Sequence, residues 1–157
     1  MWCCRGGTWR GELVIDSIEA VAAAARDNDL FAISDEECFE LIDTAHIGRI
    51  GLAMNAMPVI LPVNFCTLDR KIYVRTAEGT KLDAAMARSV VAFEVDDAFP
   101  GREEGWSVLV VGIAEEVGGE KLMKQVADAG LQPWSRTEKT HIIRITPHVI
   151  SGRRIVH

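Results

Sequence analysis

No run in this 157-residue sequence approaches the roughly 18 consecutive apolar residues that a membrane span needs, so no membrane partner is expected. Basic charge is also scarce. Lys and Arg number 17 against 23 Asp and Glu, a formal net charge of −6. That balance argues against a general duplex-DNA binder, whose affinity comes mostly from Lys and Arg on phosphates, and no nucleic-acid partner is expected. The cysteines Cys3, Cys4, Cys38 and Cys66 form no CxxC pair and no metal-ligand spacing with histidine, and they read as reduced thiols of a cytoplasmic protein. His46, His141, His148 and His157 show neither HxxxH nor HxH spacing, so no metal site is expected. Arg5 and Arg10 are followed by no signal-peptide core, because Gly6, Gly7 and Gly11 interrupt the segment. No GxGxxG follows a strand, and no GxSxG nucleophile elbow is present. Gly79-Thr80-Lys81 lacks the upstream glycine and the following Ser or Thr of a Walker loop.

What the chain does have is a domain-sized length and an apolar fraction of 48%, sufficient for a core without disulfides. Residues 1–33 read as an N-terminal extension, a loose tail and then a short helix opened by Asp16 and Glu19 and continued through Ala20 to Ala25. Residues 34–157 read as one domain. Ser34 and Glu37 form a capping box for a helix carrying Cys38, Leu41, Ile42 and Ala45, with its end expected near His46 to Gly48. From Ile47 the apolar period changes to two, and Asn55-Ala56 is expected to turn the chain into Pro58 to Phe65. Lys71 to Thr76, Val90 to Val95 and Ser107 to Val117 read as further strands, Glu120 to Ala129 as an amphipathic helix, and His141 to Ile145 and Val149 to Ile150 as the last strands, interrupted by Pro147. About six or seven strands joined mostly by short turns favour a mainly β, α+β antiparallel barrel with a few flanking helices over a doubly wound parallel sheet.

One segment has the chemistry of an anion site. Arg75-Thr76 ends a strand, and Gly79-Thr80-Lys81 follows at a predicted helix start. Free helix N–H groups, the hydroxyls of Thr76 and Thr80 and the charges of Arg75 and Lys81 match a phosphomonoester. The same residues also read as a solvated turn with ordinary surface charge. Pro62-Val63-Asn64-Phe65 and Gly105-Trp106-Ser107-Val108 supply amide groups and apolar walls, so the three segments together suit a planar, phosphorylated cofactor.

These segments, with His46 to Ile50, Val91 to Asp96, Gly112 and Ser151 to Ile155, make the chain resemble the flavin-binding split barrels related to pyridoxamine 5′-phosphate oxidase, from about Ser34 to the C-terminus. The resemblance implies a six-stranded antiparallel split β-barrel, a homodimer, and FMN in a groove at the subunit interface. It places Arg75, Thr76, Thr80 and Lys81 on the phosphate and Val63 and Asn64 beside the isoalloxazine. Trp106 and Ser107 would approach from the other subunit. It implies an oxidoreductase passing hydride or electrons through flavin to a small organic acceptor, with no obligatory general acid or base. A non-catalytic flavin store or sensor, and a deazaflavin enzyme using Arg49, Arg153 and Arg154 on a longer anionic tail, are the alternatives. Ser151-Gly152-Arg153-Arg154 replaces the aromatic-containing segment of true vitamin B6 oxidases, although Arg153 and Arg154 suit an anionic substrate.

Overall fold

The period of two that begins at Ile47 becomes the first wall of a closed β structure. The computed structural model describes residues 30–54, 56–77, 88–98, 104–131 and 140–155. In chain order these form β1 (Leu30–Ile33), α1 (Asp35–Asp43), β2 (Ile47–Met54), β3 (Met57–Leu68), β4 (Lys71–Ala77), β5 (Ser89–Ala98), β6 (Gly105–Val117), α2 (Glu120–Asp128) and β7 (Thr140–Ile155). The expected short helix opened by Asp16 and Glu19 and the predicted helix start at Gly79-Thr80-Lys81 lie outside the described residues.

All strand pairings are antiparallel, in the order β1-β7-β4-β3-β2-β5-β6, and a β6–β7 ladder closes six of the strands into a ring. This is the expected split barrel, with β1 added as a seventh strand. Along one edge of β7, Thr140 to Ile145 pair with β4 and Gly152 to Ile155 pair with β1, and the residues between pair only with β6. Inward positions of β2, β4, β5, β6 and β7 alternate with outward ones, and Ile50, Val74, Phe93, Val110 and Ile143 fill the interior. Phe65 and Phe93 meet there edge to face at 4.9 Å. Gly48 is needed beneath this pair, since a Cβ at 48 would stand 2.4 Å from the Phe93 ring. A second apolar layer lies outside the ring, where Val126 of α2, with Leu131 just beyond it, packs on Cys66, Tyr73 and Ile142.

The Ser34 side chain accepts the Glu37 backbone N–H at 3.3 Å, and Asp35, Glu36 and Glu37 occupy the first turn of α1, where carboxylates suit the helix dipole. Ser34→Ala is expected to cost about 1 kcal/mol, measured as a lower urea midpoint with an unchanged m-value. The helix ends at Asp43, earlier than its apolar pattern suggests, because Ile47 must already be extended to pair with Asn64. Asp69-Arg70 forms the two-residue turn between β3 and β4 with both φ values positive, matching the twist of the hairpin.

One reading of the sequence is corrected. Pro147 does not interrupt the last strand, which runs unbroken through Thr140–Ile155. The ladder shifts register instead: Gly112 faces Pro147 and Val111 faces Val149, leaving His148 as the extra residue of a bulge. A bulge with one strand edge unpaired is where a residue without an N–H fits a sheet.

Cys38 and Cys66 are buried free thiols. Burial, and then the Asp35 and Glu37 carboxylates, push Cys38 up to about 11; burial alone pushes Cys66 up to about 11. Iodoacetamide at about pH 8 is therefore expected to leave both unmodified in the folded protein and to label both in urea, read by peptide mapping, since the thiolate is the nucleophile. Among the described residues, no helix is long and apolar enough to cross a membrane, and no three His, Cys, Asp or Glu side chains are grouped to hold a metal ion.

Candidate functional site

β3 and β4 are joined by a tight turn but share only four rungs, the last being Phe65 opposite Val74. Beyond that point they part. Over Met57–Asn64, β3 pairs with β2 alone, and over Arg75–Ala77, β4 pairs with β7 alone. The fork exposes an edge of β3 whose backbone N–H and C=O groups have no ladder partner among the described residues. Such groups need partners when covered, and they can serve a planar heterocycle laid along the edge. Pro58 and Pro62 lie on this stretch. Proline tolerates an edge strand and not a central one, so these two residues were the available sequence signal for the fork.

The fork gathers three of the residues named from the sequence. Val63 faces Gly48 across the ladder and packs against the barrel core, while Asn64 faces Ile47 and alternates to the outer face. Arg75, on the outer face with Tyr73, sits one position past the last β3–β4 rung. The Arg75 Nε atom is buried with no hydrogen-bond partner among the described residues. A buried donor on a cation that stays unmet costs about 1–3 kcal/mol or more. Thr76 continues β4 opposite His141. Thr80 and Lys81 lie outside the described residues.

Trp106 and Ser107 are elsewhere. They begin β6, which lies three strands from β3 whichever way the ring is followed. Half-buried Trp106 packs against the core, and Ser107 stands on the outer face between Asp96 and Arg153. One chain therefore does not bring them to the fork. Two other arginines named from the sequence are already engaged: Arg49 bonds Glu94 at 3.0 Å and also Asp96, and Arg154 meets Glu37 at 2.7 Å. Hydrogen bonds from Asp96 and then Glu94 hold the Arg49 pKa above its ordinary value. Arg75 is thus distinguished from Arg49 and Arg154 by its unsatisfied buried donor.

A closed six-stranded split barrel in which two strands part beside a buried arginine donor defines the structural class. The family model of pyridoxamine 5′-phosphate oxidase matches residues 34–154, and the chain belongs to that family. Uncharacterized protein Rv0080 of Mycobacterium tuberculosis is 32% identical over 133 residues, spanning 82% of this chain and 87% of that one. The structure of the FAD binding protein from Mycobacterium smegmatis has 39% sequence identity and a TM-score of 0.72, covering 81% of this chain and 99% of its own. A FAD-binding protein from Mesorhizobium loti has 25% identity and a TM-score of 0.67 over 82% of this chain and 98% of its own.

Proposed function

We propose that the protein is a flavin-nucleotide oxidoreductase working as a cytoplasmic homodimer on a small organic acceptor. The observation that carries the reading is the orphaned Arg75 Nε beside the unpaired β3 edge. The residues at the fork fit a flavin: the edge at Val63 and Asn64 offers backbone and amide partners to the ring, and Arg75 receives the phosphate, joined by Thr76, Thr80 and Lys81. When bound, the flavin supplies the hydride and electron chemistry. The chain's own part is to bind, orient and shield.

The ring is compatible with the dimer that the family resemblance implies: Trp106 and Ser107 occupy the opposite wall from the fork, and in this reading a second copy presents them to the cofactor. The outer face carries an apolar row suited to that contact, with Ile60, Gly51, Ala92, Val111 and Val149 in register across five strands. Ile60 is 72% exposed in the single chain, and large exposed apolar patches mark interaction surfaces. FMN is the form implied by the family resemblance. The FAD-binding relatives make FAD the form to test beside it.

Protein incubated separately with FMN, FAD and a deazaflavin, then desalted, is expected to keep a stoichiometric flavin and to sediment as a dimer. Oxidation of NADH or NADPH with a panel of acceptors is expected well above the rate of free flavin. A colourless desalted protein overturns flavin binding. Retained flavin without turnover overturns the oxidoreductase reading and leaves a store.

A further inference from the structure

Around the ring, β3, β2, β5 and β6 lie side by side in that order. Their outward residues fall in register, and Ile60, Gly51, Ala92 and Val111 make one row. Two residues along, Arg49 stands beside Glu94; two further, Asn64 faces Ile47 and Asp96 faces Ser107. Five of the seven exposed large apolar side chains among the described residues are on this face, namely Ile47, Ile60, Val90, Leu109 and Ile113. Exposure so concentrated marks a contact surface. Four strands by four outward rows measure about 19 Å by 27 Å, the greater part of the ~800 Å² that each partner gives to a standard interface.

Self-complementarity limits how two copies can meet on this face. A twofold between face-packed sheets lies in the plane of contact. If it runs across the strands, each strand meets its own copy and Asn64 never meets β6. If it runs along the strands, over the short β2–β5 seam, β2 meets β5 of the second copy and β3 meets its β6. Row by row the chemistry then matches: Arg49 lies against Glu94 of the second copy, Ile60 against its Val111, and Gly51 against its Ala92. Asp96 is held by Arg49 of its own chain. Gly51 has no reason within the chain to lack a side chain, since a Cβ would meet the Ala92 Cβ at 3.6 Å, an ordinary contact. Glycine inside a strand weakens it and marks the close approach of another backbone, which this axis supplies.

We infer that two copies pack with their twofold along the β2–β5 seam, Gly51 on Ala92, so that Ser107 of each copy reaches Asn64 of the other. The inference rests on the proposed site, because it brings to the fork a wall that one chain keeps away from it.

The test uses the full-length chain carrying Cys3→Ser and Cys4→Ser, in which Cys38 and Cys66 are buried. Positions 60 and 111 lie three strand spacings, about 14 Å, apart within one chain, beyond the reach of a short bis-maleimide. The double variant Ile60→Cys/Val111→Cys is expected to give a covalent dimer with that reagent on a denaturing gel, and each single variant is expected to give none. Ala92→Arg, which sets a charge on the axis, is expected to shift sedimentation from dimer to monomer with an unchanged far-UV circular dichroism spectrum. No covalent dimer in the double variant, covalent dimer in the single variants as well, a dimeric Ala92→Arg or a monomeric wild type overturns the inference. Neither readout uses a flavin, so failure of the flavin reading leaves both intact, whereas a chain that retains flavin and fails the cross-link overturns this twofold alone.

Discussion

Arg75→Ala is expected to weaken FMN binding about 10- to 100-fold, the range of one lost charge-assisted hydrogen-bonding group, while leaving riboflavin affinity unchanged. The contrast between the two ligands isolates the phosphate. In the free protein the substitution has the opposite tendency: it removes a buried donor with no partner among the described residues, so the melting temperature of flavin-free Arg75→Ala is expected to be no lower than wild type. Arg49 is the matched control, since its guanidinium is already bound by Glu94 and Asp96 across β2 and β5. Arg49→Ala is expected to keep FMN affinity within about twofold, a difference of only about 0.4 kcal/mol. Equal FMN affinity in wild type and Arg75→Ala, measured by fluorescence titration, removes Arg75 from the site.

Gly112→Ala is expected to cost about 3 kcal/mol, at the upper end for an overpacked site, and to lower the melting temperature by about 6–12 °C. At the β6–β7 bulge, a Cβ on residue 112 would lie 2.3 Å from the Thr146 carbonyl oxygen and 2.9 Å from its carbon. Both are backbone atoms in the ladder that closes the barrel, so relief requires moving β7 itself. Gly118 gives the comparison. Its added Cβ would meet nothing within 4 Å, and Gly118→Ala is expected to stay within about 0.5 kcal/mol of wild type. Equal urea midpoints for the two variants would contradict the close approach at the bulge.

Much of the architecture was legible because it rests on local signals. The capping box at Ser34 and Glu37, the alternation from Ile47, and the amphipathic run that became α2 each report which face meets the core through their own period. Pro147 misled because its missing N–H argues against a strand only if both edges are paired. Whether an edge is paired depends on β1, β4 and β6, which are remote in sequence.

The candidate site divides in the same way. Arg75, Thr76, Thr80 and Lys81 are close in sequence and carry the donors of a phosphate site, so their chemistry could be read as a string. That β3 and β4 part immediately beyond Phe65 and Val74, and that Arg75 there holds a buried donor without a partner among the described residues, comes from the ladder. By itself, then, the sequence determined the strand and helix periods, the acidic surface charge and the residue types of an anion site. Only the tertiary structure decided which strand edges stay open and that the fork and Trp106 stand on opposite walls. The physical reason is that periodicity is a property of neighbours along the chain, whereas an unpaired edge or an orphaned donor is defined by groups brought together, or kept apart, by closing the ring.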